Sequence, residues 1–158
     1  MKLKRIILET THRCDLSCDF CYLGRSGLLN KKRRELGLSE TQKFVSRFDY
    51  KTHFYLTGGE PFLQPWTEEL LGFIKSRGHE CGVNTNGLLL RGARTRSLAA
   101  AGPDYVIFSL PGNREIYERN CAGKGAFLKL RRNIRSFASV KKPATELIVN
   151  CPITPANA

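Results

Sequence analysis

No stretch of this 158-residue sequence stays apolar for long. Nothing approaches the roughly 18 apolar residues that a membrane-spanning helix requires. The N-terminal Met1-Lys2-Leu3-Lys4-Arg5 leads into only Ile6-Ile7-Leu8, too short for the apolar core of a secretory signal. A cytoplasmic protein with no membrane partner is therefore expected. Acidic residues are scarce as well, 14 Asp and Glu against 26 Lys and Arg, so the chain carries a formal charge of +12 and favours anionic partners. Aromatic residues are absent from the densest basic run, Lys31-Lys32-Arg33-Arg34. That removes any platform for base stacking and leaves a solvated loop as the run's simplest role, so a nucleic-acid partner is not favoured. There is no low-complexity linker and no internal repeat beyond an alternation of strand and helix patterns. The length suits one domain, residues 1–158, and 41% hydrophobic against 25% charged residues excludes a disordered chain.

What the sequence does concentrate is thiols. Cys14-Asp15-Leu16-Ser17-Cys18-Asp19-Phe20-Cys21 places three cysteines in a Cys-x-x-x-Cys-x-x-Cys spacing just after the apolar Ile6-Ile7-Leu8. A cytosolic chain seldom keeps thiols this dense for disulfides, and residues three or four apart rarely offer relaxed disulfide geometry, so metal ligation is the better reading. A structural zinc site normally closes with four ligands, and His12, two residues before Cys14, is the residue that would complete one. Iron–sulfur clusters are held by cysteine thiolates, usually four, and three would leave one iron open.

The periodicities predict strands at Leu3–Leu8, Phe54–Leu56, Cys81–Val83, Tyr105–Leu110 and Glu146–Pro152. Helices are expected from Ser39, where Ser39-Glu40-Thr41-Gln42 has the form of a capping box, over Thr67–Arg77 with Gly78 as C-cap, over Arg94–Ala101, and over Gly125–Ser139. Tyr22–Leu38 reads as a loop. The continuous apolar character of the first strand suggests burial on both faces. Strand alternating with helix argues an α/β fold with a parallel sheet, and every motif falls at the carboxyl end of a strand, where loops converge on ligands. Cys81, Cys121 and Cys151 are scattered and do not suggest a second cluster; Cys81 and Cys151, inside strands, read as small core residues.

The cysteine loop resembles the cluster-binding loop of the radical S-adenosylmethionine (SAM) enzymes. Thr57-Gly58-Gly59-Glu60-Pro61 resembles that family's second motif, Asn84-Thr85-Asn86-Gly87 its third-strand motif and Phe108-Ser109-Leu110 its fourth-strand motif, all in the family's order. The resemblance implies a partial (β/α) barrel in which Cys14, Cys18 and Cys21 hold three irons of a 4Fe-4S cluster and the fourth iron is chelated by SAM. Electron transfer into that chelate would yield a 5′-deoxyadenosyl radical that abstracts hydrogen from a peptide or small-molecule substrate. A flavodoxin- or ferredoxin-like electron donor is implied with it. On the same ground Phe20 is expected near the adenine, Gly58 and Gly59 as close backbone approach, Glu60 as the carboxylate receiving the methionine ammonium, and Thr85 and Ser109 against the SAM carboxylate and ribose. Asp15 stands where the family often has Asn, with little consequence expected. Cys121 stands where related sequences often have a basic residue, which Arg119 or Lys124 would have to replace, and Pro111 where an Asp is frequent.

The family core has six strand–helix units, and only five strands are legible. Ile153-Thr154-Pro155-Ala156-Asn157 resembles the loop after the fifth, so a barrel incomplete at the C-terminus is expected, as a fragment or completed by a partner chain. Two other functions compete with a radical enzyme: a basic zinc module on nucleic acid, and an iron–sulfur electron carrier without SAM chemistry.

Overall fold

In a computed structural model, residues 3–153 are described. The expected loop after the fifth strand, from Thr154 on, lies outside them. Five strands form one sheet: β1 (Arg5–Thr11), β2 (His53–Gly58), β3 (Glu80–Thr85), β4 (Tyr105–Ser109) and β5 (Glu146–Asn150). They lie in chain order, each parallel to the next. Consecutive parallel neighbours need a crossover of a dozen residues or more, which the helices supply. These are α1 (Tyr22–Arg25), α2 (Leu38–Val45), α3 (Thr67–Ser76), α4 (Ala93–Ala101), α5 (Arg114–Tyr117) and α6 (Ala126–Val140), with a 3-10 turn at Pro61–Leu63 and a π turn at Glu118–Ala122.

The core is the layer between the sheet and its helices. Phe54, Leu56, Cys81, Val83, Val106 and Phe108 project from alternate strand positions onto Leu70, Leu71, Ile74, Leu98, Leu130 and Phe137, all buried. Each such side chain contributes about 1.5–3 kcal/mol on removal from water. Only this face is covered. The expectation that the first strand is buried on both faces is therefore corrected: Ile6 and Leu8 pack on the core while Ile7, between them, is 61% exposed. Across the sheet the uncovered face continues through the half-exposed Tyr55, Tyr105, Ile107 and the exposed Ile148. Period-two alternation, not the composition of the run, decides which side chains are wet.

Several element bounds differ from expectation, and two of the differences have local reasons. Helix α2 starts one residue before Ser39: the backbone N–H of Gly37 donates to Glu40 Oε2 at 3.0 Å and Thr41 Oγ1 donates to the Gly37 carbonyl at 2.9 Å, so the cap is Gly37 with Glu40, not Ser39 with Gln42. Tyr22–Arg25, expected as loop, forms a single helical turn. The helices over 67–76 and 93–101 end as expected, with Gly78 (φ 79°) and Gly102 (φ 65°) in the left-handed region that lets the chain leave a helix. Cys81 is a buried core residue as expected, whereas Cys151 lies just past β5 and is exposed. No helix among the described residues is long and apolar enough to cross a membrane.

Candidate active site

All four motifs meet at the carboxyl edge of the sheet. Cys14, Cys18, Phe20 and Cys21 from the β1 loop, Gly58 and Gly59 from the end of β2, Thr85 from β3 and Ser109 from β4 line one cavity of about 280 Å³. Parallel strands put every carboxyl end on the same edge, so motifs far apart in sequence converge there without special pairing. A second cleft, about 320 Å³, runs along the free edge of β1 past Trp66 and Arg33 and holds none of the expected site residues.

The cysteine loop is held from several sides. Asn30 brackets Cys14, its Oδ1 accepting the Cys14 N–H at 2.9 Å and its Nδ2 donating to the Cys14 carbonyl at 3.2 Å. The Cys21 N–H donates to the Cys18 carbonyl at 3.0 Å, closing the turn between the second and third cysteines. Two donors aim at Cys14 Sγ, the Leu16 N–H at 3.4 Å and Asn86 Nδ2 at 3.9 Å. Such donors suit a sulfur that is to carry negative charge. Burial pushes the free Cys14 thiol up to about 12, and a bound metal would override that by taking the thiolate directly. The three half-buried thiols thus fit a cluster. Among the described residues no three Cys, His, Asp or Glu side chains are grouped as ligands of a single ion. His12 turns away, its Nε2 3.0 Å from Glu9 Oε2.

Glu60 lies behind the cavity wall. It is fully buried and is not among the residues lining the cavity. Its Oε1 accepts the Phe62 N–H at 3.0 Å and the Thr85 hydroxyl at 2.8 Å, and its Oε2 accepts the Asn86 N–H at 2.7 Å. The carboxylate therefore reaches the cavity only through Thr85 and Asn86, which do line it. Thr85 spends its hydroxyl proton on Glu60 and accepts the Gly87 N–H at 2.9 Å, while Ser109 Oγ donates to Asn84 Oδ1 at 3.2 Å. Asn86, read from the sequence as part of the third-strand motif without a role of its own, is the hub: besides Cys14 its Nδ2 donates to Asp15 Oδ1 at 2.7 Å.

Burial pushes the Glu60 carboxyl up from 4.5 to about 7 against the pull of its three donors. Below the lower value it is neutral in both folded and unfolded chains; between the two the unfolded chain releases its proton and the folded chain keeps it. Stability is thus lost as pH rises through that window, by about 3 kcal/mol in all. An amide does not titrate. The stability difference between the wild type and Glu60→Gln, from urea unfolding, should accordingly shift by about 3 kcal/mol against the wild type from pH 4.5 to above 7. A pH-independent difference would refute this burial of the charge.

Part of the cavity wall, Tyr117 included, was not found by sequence reasoning. Cys121, read as one of three scattered cysteines and as standing where related sequences often have a basic residue, is carried by the π turn onto the cavity wall with Cys18, and the interaction between the two thiols holds Cys121 below and Cys18 above the usual thiol range. The Asp19 N–H donates to the Asn120 carbonyl at 3.2 Å, fixing the turn against the cysteine loop. Tyr117, just before that turn, also lines the cavity. Neither Arg119 nor Lys124 does: both are exposed, and Arg119 turns to Glu115 and Asn120. Only a signal tying residues 117–121 to residues 14–21 across a hundred positions would have revealed this.

Residues 8–155 match the family model described as the radical SAM superfamily. The chain is 32% identical over 151 residues to the PqqA peptide cyclase of Ruegeria pomeroyi, covering 92% of this chain and 38% of that relative. Among solved structures it is similar to Streptococcus suis SuiB bound to its precursor peptide SuiA, with a TM-score of 0.77 and 16% identity over 94% of this chain and 33% of that one. It is likewise similar to anSMEcpe with bound AdoMet, with a TM-score of 0.73 and 21% identity over 95% of this chain and 44% of that one. At those identities the two structures bear on the fold, which they share. With the family model matched over nearly its whole length, and with the motifs gathered at one cavity, this chain belongs to the radical SAM superfamily, whose cofactors are a 4Fe-4S cluster and S-adenosylmethionine.

Proposed function

We propose that this chain forms the cofactor-binding core of a radical SAM enzyme that acts on a peptide. The observation carrying the reading is the convergence of Cys14, Cys18 and Cys21 with Gly58, Gly59, Thr85 and Ser109 on a single cavity at the carboxyl ends of adjacent parallel strands. In this reading the three cysteines hold the cluster, and Gly58 and Gly59, whose lack of a Cβ lets the end of β2 press on the Thr11–Arg13 backbone, form the cavity wall beside SAM. When bound, the cofactor pair supplies reductive carbon–sulfur cleavage and hydrogen abstraction. The protein's part is to position and to shield. Glu60 fixes Thr85 and Asn86, Asn86 fixes Asp15 and Cys14, and Phe20, Leu16 and Pro111 wall the cavity from water.

A peptide substrate is supported by the relative named PqqA peptide cyclase and by the SuiB structure bound to its precursor peptide. The uncovered sheet face beside the cavity, with Tyr55, Tyr105 and Ile107 half-exposed, offers apolar surface to a chain laid across it. A flavodoxin- or ferredoxin-like donor would be drawn by the excess of 26 basic over 14 acidic residues. Anaerobic reconstitution with iron and sulfide tests the reading: a brown protein is expected whose reduced-cluster spectrum changes on adding SAM. A brown protein indifferent to SAM would make it an electron carrier, and a colourless zinc-loaded one a zinc module.

A further inference from the structure

Tyr117 ends α5 with its side chain 1% exposed on the cavity wall, and its hydroxyl, fully buried, has no hydrogen-bond partner among the described residues. A phenol is an unusual choice for such a place. Its ring already packs edge-on against Phe127, with centroids 6.2 Å apart, so phenylalanine would fill the same space without burying a polar atom. The sulfurs of Cys14, Cys18, Cys21 and Cys121 line the same cavity, while Asp15 is engaged by Asn86 and Glu60 by its three donors. More sulfur is what the cavity is proposed to receive.

Resting on the function proposed above, we infer that Tyr117 is a cofactor-binding residue whose O–H donates a hydrogen bond to a sulfur of the iron–sulfur group held by Cys14, Cys18 and Cys21. A donor on a cluster sulfur favours the more negative, reduced state and so raises the reduction potential. Cys121, on the turn that follows, keeps the same wall against Cys18. No proton is transferred; the electron still comes from the external donor.

The test compares wild type and Tyr117→Phe in three measurements: thermal unfolding of the cluster-free chain, iron and sulfide content after reconstitution, and the cluster's midpoint potential without SAM. Unchanged or higher stability of the cluster-free variant is expected, since the lost hydroxyl had no protein partner, together with a more negative potential. Reduced loading in a variant that folds as well as wild type supports the inference equally, because only a contact with the bound group costs loading without costing the fold. An unshifted potential with unchanged loading overturns it, whether or not SAM affinity falls; a fall would assign the hydroxyl to SAM instead. A destabilised cluster-free variant also overturns it, by showing a protein partner. Wild-type chain that takes up no iron and sulfide fails at the earlier step, and removes the proposed function along with this inference.

Discussion

Replacing Cys18 by alanine should leave a folded chain that assembles no iron–sulfur cluster. The turn around Cys18 is closed by its backbone carbonyl, which accepts the Cys21 N–H, and alanine keeps that bond. The side chain is half-buried, packed against the core from the cavity wall rather than buried within it, so the stability cost should stay within about 1 kcal/mol. Loading is another matter, since two thiolates cannot stand in for three. One route to residual loading is the neighbouring Cys121, which shares the cavity wall with Cys18 and is left in place by a single substitution. Cys18→Ala/Cys121→Ala removes that route. Iron and sulfide per chain and the visible absorption after anaerobic reconstitution should fall to background in the double variant, with far-ultraviolet circular dichroism unchanged. Full loading would show that these cysteines are not the ligands.

Gly59→Ala should be among the most damaging small substitutions in the described residues. A Cβ there would stand 2.1 Å from the Arg13 carbonyl oxygen, 2.6 Å from its carbon and 3.1 Å from the His12 carbonyl carbon. These are backbone atoms, with no flexible side chain to swing aside. The crossing is close because it is laced, by the Gly59 N–H to the Thr11 carbonyl at 2.7 Å and the Glu60 N–H to the Arg13 carbonyl at 2.8 Å. To admit a methyl group the segment leading into Cys14 must move, breaking those bonds and shifting the first cysteine together. A stability loss of about 3–5 kcal/mol is expected in urea unfolding, with loss of cluster loading in whatever folds. Gly72→Ala is the control. It lies inside α3 with nothing within 4 Å of its would-be Cβ, and alanine there should stabilise by about 0.5–1 kcal/mol. Equal stabilities for the two variants would mean that the β2 end does not press on the cysteine loop in this way.

The sequence alone was enough for the order of strands and helices, the parallel sheet and the edge on which ligands gather. Those follow from local periodicity and from the rule that a short strand, a helix and another strand close right-handed and parallel, so Phe54–Leu56 or Thr67–Arg77 could be placed without knowing their neighbours. It was enough to single out Cys14, Cys18 and Cys21, which share one cavity, because their spacing is itself local. The side-chain destinations were decided elsewhere. That Ile7 is exposed between two packed neighbours depended on helices covering one face only. Glu60 became an internal brace because its acceptors face donors 25 and 26 residues away at the end of β3. Asn86 became the hub by meeting Asp15 across 71 residues. Cys121 and Tyr117 joined the cavity because a π turn after β4 folds back over the β1 loop. Each of these is a meeting of two strand-end loops, and a loop's own residues do not specify which loop it will face; the order and spacing of the strands beneath them does.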